Sequence, residues 1–368
     1  MDMKSLLKQL VEAESPSTDK AAVDRIGMII ADEARRLGAE VQTVPIKEAG
    51  DQIIARFAPS KAEEENTSGI LLLCHRDTVF PLGTFEKMPY YEAEGKIYGP
   101  GTLDMKSGIV ISLAAIEKLQ KNGGLTRPVT LLCTSDEEVG SLTSETLIKE
   151  LASESALVLV LESALLSGSL KTWRKGAGEF WVKVKGRAAH AGGAHAEGRN
   201  AIEEMAHQVL AIQRLTNYER QTTLNVGVIH GGTVSNVVPE EAVAQVDVRV
   251  MQAGEWERVE AEMRALKPVL DGTSLEITGG LNRPPMPFDE TMQATFEKAK
   301  TIAETIGIEL KAGGSGGVSD ANFVAPLGIP VLDGLGAIGE GYHSEREFIF
   351  ADSLPERAKL LATLLREW

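Results

Sequence analysis

Apolar residues recur at helical spacing near the start of the chain, as Leu6, Leu7, Leu10 and Val11 and then Ile26, Ile29 and Ile30, which predicts helices over 4–14 and 20–37. A strand is expected at 52–57. Three short apolar runs follow, 70–74, 129–133 and 156–161, without polar alternation and separated by helical stretches near 107–120 and 140–152. Strands of this kind spaced by helices indicate a sheet covered on both faces. The intervening stretch 59–69, with Lys61, three consecutive glutamates and Asn66, reads as a solvated turn.

Beyond Gly168 the period changes to two: 179–185, 226–229 and 242–250 alternate like half-buried strands. Asn200-Ala-Ile-Glu203 is a capping-box start for a helix to about 216, and 254–266 is a second helical segment. After Asn282-Arg283-Pro284-Pro285 the α/β texture returns, with a helix at 289–306, a glycine-rich loop at 313–317, a strand near 330–332 and a final helix at 353–366. The expected organisation is an α/β domain made of 1–174 and 282–368, interrupted by an α+β insertion at 175–281.

At 368 residues the chain is long enough for two cores. Its net charge of -15 repels polyanions and argues against nucleic acid or an anionic membrane as partner. Six basic residues, Lys171, Arg174, Lys175, Lys183, Lys185 and Arg187, stand against one acid, Glu179, between 171 and 187. They either steer an anionic substrate or form a solvated strand face. Cys74 and Cys133 each end an apolar run, as buried thiols of a reducing compartment do. With an amphipathic amino-terminal segment and no long apolar stretch, the expected location is the cytoplasm.

Open α/β sheets bind ligands outside the carboxyl ends of their strands. His75 and Asp77 follow the first apolar run, Asp136, Glu137 and Glu138 the second, and Glu162 the third. Asp104 sits in a glycine-rich turn, 98–108, before a helix, and His343 lies between Gly341 and Ser344. Each has a plain alternative: a structural histidine, a helix cap, a solvent-facing acidic turn. Together, two histidines, two glutamates and a bridging aspartate form an N/O ligand set suited to a pair of zinc-like ions about 3.5–4 Å apart.

These segments, with 185–191 (KGRAAHA) and Asn236 in 234–239, occur in the order found in the M20 metallopeptidase family. The chain resembles most its glutamate carboxypeptidase, or carboxypeptidase G2-like, branch. The resemblance implies a di-zinc aminopeptidase/carboxypeptidase-like catalytic domain with an inserted lid and dimerisation domain. It assigns His75 and Glu162 to one ion, Glu138 and His343 to the other, and Asp104 as the bridge, followed by a cis peptide. Asp77 then orients His75, Glu137 is the general base, and His190 stabilises the oxyanion across a dimer interface. Arg249 and Asn236 meet the substrate carboxylate or carbonyl, beside Gly317 and Ser319. His195 departs from the proline common in relatives, while His207 and His230 read as structural.

The expected cofactors are two Zn2+ ions, with Co2+ or Mn2+ as substitutes, and the expected partners are a small peptide or N-acyl amino acid and a second copy of the chain. The expected activity is cleavage of an amide beside a free carboxylate, as in a glutamate carboxypeptidase acting on peptides or folate-like N-acyl-glutamate conjugates. The alternatives are an aminoacylase, deacetylase or dipeptidase of the same family, and a non-catalytic peptide-binding protein on the same scaffold.

Overall fold

The computed structural model describes residues 1–60 and 68–368. Most of the polar turn expected at 59–69 lies outside the described residues. The chain forms two compact units, the first comprising Met1–Trp173, Phe288–Ser315 and Ser319–Trp368, the second Arg174–Pro287 with Gly316–Val318. Among the described residues no helix is long and apolar enough to cross a membrane.

The first unit is built on an eight-stranded sheet in the order Glu40–Val44, Gln52–Phe57, Val129–Thr134, Gly69–His75, Ser155–Val160, Val331–Asp333, Leu170–Arg174, Ala312–Ser315. The four strands from Val129–Thr134 to Val331–Asp333 run parallel. Their apolar runs are buried because helices cover the sheet, including Lys20–Arg36, Ser107–Lys121, Glu290–Glu304 and Ser353–Glu367. Side chains cap three helix starts: Asp2, Asp19 and Asp289 each accept a backbone N–H of the first turn. Cys74 and Cys133 are cross-strand partners, buried, and free thiols.

Parallel register brings the carboxyl ends of these strands together, with His75 opposite Thr134 and Leu73 opposite Val160. The segment 313–317, expected as a loop, instead begins as the edge strand Ala312–Ser315. Its glycines give no side-chain alternation from which a strand is readable.

The second unit is a four-stranded antiparallel sheet, ordered Thr223–Gly231, Glu241–Val250, Gly176–Lys185, Ser274–Arg283. The alternation in Glu241–Val250 puts Ala242, Ala244, Val246, Val248 and Val250 on one buried face with Phe180, Val182 and Val184. Helices Ala201–Gln213 and Glu255–Arg264 contribute Met205, Ile212, Trp256, Val259 and Met263 to the same core. Strand Thr223–Gly231 is at a sheet edge, with Val228 and Ile229 exposed.

Candidate metal centre

Five side chains from five separate segments of the first unit converge at the carboxyl edge of the parallel strands. His75 is the last residue of its strand, and Glu162 stands two residues past Ser155–Val160. Glu138 lies on the short turn Glu137–Val139 that follows Val129–Thr134. Asp104 belongs to the tight turn Thr102–Lys106 leading into helix Ser107–Lys121. That turn is possible because Gly101 adopts φ +73° and a Cβ there would lie 2.7 Å from Thr78. At the helix start, a Cβ on Gly108 would lie 2.1 Å from the Leu161 carbonyl oxygen, so glycine lets the helix approach the segment carrying Glu162. The Asp104–Met105 peptide is cis.

His343 sits in the hairpin loop between Gly339–Glu340 and Phe348–Phe350, and adopts φ +56°, a left-handed conformation unfavourable for a residue with a Cβ. Its Nε2 lies 3.3 Å from Asp104 Oδ2 and 3.2 Å from Glu138 Oε2. On the other side, His75 Nε2 is 3.1 Å from Asp104 Oδ1 and 3.2 Å from Glu162 Oε1. Asp104 thus divides its two oxygens between two histidine–glutamate pairs.

One ligand atom each from His75, Asp104 and Glu138 lies within 4.8 Å of the others. Tetrahedral coordination at zinc's bond lengths of about 2.0–2.1 Å puts neighbouring ligand atoms roughly 3.3 Å apart, which matches the nitrogen–oxygen spacings here. The donor set of imidazole nitrogens and carboxylate oxygens fits a divalent cation.

Electrostatics leads to the same requirement. Burial opposes a charge on His75, yet Asp104, Asp77 and Glu162 push its pKa well above the ordinary value. Contacts with Asp104 and Glu138 raise that of His343 to about 10. Burial, reinforced by the Asp104 charge, raises Glu138 to about 7. For Asp104 burial works in the opposite direction, and the two imidazoles still hold its carboxyl far below the usual range. The cluster attracts positive charge, which a metal supplies on displacing protons.

Asp77 is fully buried. Its carboxylate lies 3.5 Å from His75 Nδ1, accepts from Ser17 Oγ at 2.7 Å, and accepts the backbone N–H groups of Glu137 and Glu138 at 3.2 Å each. His75 Nδ1 makes its hydrogen bond with the Asp77 backbone carbonyl at 3.1 Å, so residue 77 holds the first histidine through its main chain, with the carboxylate charge behind it, and holds the turn carrying Glu137 and Glu138 through its side chain. The sequence offered no sign of that second task. Asp320 adds a brace by accepting from Ser141 Oγ at 2.5 Å and Thr134 Oγ1 at 3.4 Å.

The remaining sequence-selected residues have these surroundings. Ser319 is fully buried, and its hydroxyl donates to Asp333 Oδ2 at 2.8 Å rather than facing solvent. Gly317 is exposed, with its carbonyl accepting from Arg174. In the second unit, His190 pairs with Val237, and Ala191 N–H donates to the Asn236 carbonyl at 3.0 Å, so His190 and Asn236 are neighbours. The amides of Gly192 and Gly193 both donate to His190 Nδ1, at 3.1 and 3.0 Å. Because amides only donate, Nδ1 is the acceptor and Nε2 carries the proton. Arg249 is at the other end of the sheet, opposite Ala177, with its guanidinium forked onto Asp247 at 2.8–3.1 Å.

Three kinds of similarity accompany this geometry. Residues 71–367 match the model of peptidase family M20/M25/M40. The chain is 28% identical over 370 residues to carboxypeptidase G2 of Pseudomonas sp. strain RS-16, covering 98% of this chain and 88% of that protein. It is 29% identical over 307 residues to the succinyl-diaminopimelate desuccinylase of Stenotrophomonas maltophilia, covering 77% of this chain and 80% of that one. The crystal structure of aminopeptidase PepT from Bacillus cereus shares the fold with a TM-score of 0.81 at 24% identity, covering 99% of this chain and 97% of that one. With the family model spanning most of its length and a cation-fitting cluster at the sheet edge, the chain belongs to peptidase family M20/M25/M40, as a metal-dependent peptidase or amidohydrolase.

Proposed function

We propose that the protein is a two-metal hydrolase of amide bonds in N-acyl amino acids or short peptides, with a free carboxylate beside the scissile bond. The observation that carries this reading is the division of Asp104 between the His75–Glu162 and His343–Glu138 pairs. His75 and Glu162 would hold one zinc ion, His343 and Glu138 the other, and Asp104 would be shared, with Co2+ or Mn2+ as substitutes. Bound ions of this kind polarise the scissile carbonyl and activate water. Glu137 takes the proton of the attacking water and returns it to the departing amine. Asp77 fixes the tautomer of His75.

His190 offers its Nε2–H to the developing oxyanion, a role that the Nδ1 contacts with Gly192 and Gly193 favour. Arg249 exchanges Asp247 for the substrate carboxylate, which its planar fork matches. Asn236, and an amide of the turn at Gly317, supply further polar contacts, while Ser319 supports that turn through Asp333.

The strand register supports a homodimer. Lys185 opposes Glu241 and Ala177 opposes Arg249, so eight residues of extended chain, roughly 27 Å, separate the ends that carry the His190–Asn236 pair and Arg249. A dipeptide-sized substrate spans only a fraction of that length. A site combining Arg249 of one copy with His190 and Asn236 of another resolves this, and edge strand Thr223–Gly231, with Val228 and Ile229 exposed, is the contact surface favoured here.

Acyl-amino-acid or dipeptide hydrolysis is the leading reading, since similarity spreads over desuccinylase and peptidases alike. Glutamate carboxypeptidase activity is the second, favoured by the 98% coverage of this chain by carboxypeptidase G2. A panel of N-acetyl and N-succinyl amino acids, dipeptides, tripeptides and N-acyl glutamates, assayed after zinc reconstitution, separates them. The expected result is turnover that disappears when the free carboxylate is amidated. Equal turnover of the amidated substrates would refute the carboxylate requirement.

A further inference from the structure

Glu347 has no part in the chemistry above, yet it connects two of the segments that deliver it. It lies four residues after His343, at the end of the same hairpin loop, and is completely buried. The strand it enters, Phe348–Phe350, pairs with Lys96–Tyr98, from which the chain runs directly into the turn bearing Asp104. The Glu347 carboxylate reaches across to that turn. It accepts the backbone N–H of Gly101 on Oε2 at 3.0 Å, and those of Leu103 and Asp104 on Oε1 at 2.7 and 3.1 Å.

Three convergent amides in a tight turn form a concavity for an anion, and here the chain fills it with its own carboxylate. No regular helix partner exists for these amides, because the turn precedes helix Ser107–Lys121 and Gly101 is left-handed. Glu347 joins two segments more than 240 residues apart in sequence. The same two segments meet a second time where His343 Nε2 faces Asp104 Oδ2 at 3.3 Å. Two contacts fix the relative rotation of the segments where one would leave a pivot.

We infer that Glu347 is a positioning residue for the metal centre: by holding the Gly101–Asp104 backbone against the His343 loop, it sets Asp104 so that each carboxylate oxygen faces a different histidine. This rests on reading the cluster as a metal site. A carboxamide in its place keeps one acceptor oxygen: with that oxygen on Leu103 and Asp104 its NH2 group opposes the Gly101 N–H, and in the reverse placement it opposes two amides, so the turn is no longer clamped at both ends and Asp104 shifts with it.

The test uses the full-length protein stripped of metal, as wild type, Glu347→Gln and Glu347→Asp, with Glu204→Gln in the second unit as a control for general destabilisation. Zinc affinity is measured by competition with a chromophoric chelator, and the Co2+ absorption spectrum is recorded at saturating metal. The expected result is at least a tenfold loss of zinc affinity in Glu347→Gln, the lower bound for disturbing groups behind metal ligands, with an altered Co2+ spectrum. Glu204→Gln should leave both unchanged. Should Glu347→Gln fail to fold, Glu347→Asp, which keeps the charge at shorter reach, is judged by the same criterion. A loss below tenfold with a wild-type Co2+ spectrum overturns the inference. Failure of the wild type itself to bind zinc would instead overturn the proposed function.

Discussion

Replacing Asp77 by asparagine changes one oxygen to NH2 and removes a charge at nearly constant volume. If the NH2 takes the Oδ1 position it confronts the Glu137 N–H and the His75 Nδ1 edge; at the Oδ2 position it confronts the Glu138 N–H, while the Ser17 hydroxyl turns to accept. The second arrangement is cheaper and leaves one buried amide without an acceptor, a cost of about 1–3 kcal/mol. The His75 imidazole also loses the charge behind it, for which the expected effect on metal affinity is about 10–100-fold. Zinc titration of the apoprotein against a competing chelator measures the affinity, and melting of apo and zinc-loaded forms gives an independent readout. The apo form should melt lower, and the gain in melting temperature on adding zinc should shrink, because stabilisation by a ligand follows its affinity. A zinc affinity within threefold of wild type would refute the role assigned to Asp77.

Glu137→Gln should lower kcat by about 10²–10⁴-fold with two zinc ions still bound by elemental analysis; loss of metal in parallel would instead make Glu137 a structural support. His190→Ala should lower turnover by about 10²–10³-fold without changing metal content. If His190 acts across a dimer, mixing Glu137→Gln with His190→Ala protein should restore activity, and no recovery on verified subunit exchange would place its action within one copy. In the second unit, buried Glu255 accepts from Arg258, Thr222 and Arg220, which lower its pKa to about 2 from 4.5. Because the folded pKa is depressed, its stabilisation is complete above pH 4.5 and is lost as the pH falls toward 2. The shift sets an upper bound near 3 kcal/mol, and solvent around the half-exposed Arg220 reduces the expectation to about 1–2 kcal/mol. Hydrogen exchange in helix Glu255–Arg264 should therefore separate wild type from Glu255→Gln at pH 7, with the difference shrinking as the pH falls toward 2; a constant difference would contradict the assignment.

The parallel core was legible because strands buried on both faces need unbroken apolar runs, and 70–74, 129–133 and 156–161 supply them. Alternation revealed Glu241–Val250 equally well. Strands Glu40–Val44 and Ser274–Arg283 were missed because each lies at a sheet edge and carries few fully buried residues to impose a pattern. For the candidate site, positions just past strand ends picked out His75, Glu138 and Glu162 as acids and imidazoles where sheets bind ligands. Asp104, in its glycine-rich turn, and His343, beyond the last apolar strand, completed the N/O set, and the family resemblance distributed the five between two ions. Glu347 left no signal, since an acid beside Arg346 before Phe348 looks like surface until the fold buries it. The burial of Ser319 against Asp333 is likewise a contact across sequence that its neighbours do not reveal.

His343 comes 181 residues after Glu162, beyond the whole inserted unit. A ribosome must therefore finish that insertion before the last donor of the cluster emerges. Until then the cluster lacks His343, and the Gly101–Asp104 turn lacks the carboxylate that binds its amides. On the proposed two-metal reading, hydrolytic competence is thereby postponed to a late stage of synthesis, and a truncated product stopping short of this hairpin would lack one donor of the second ion.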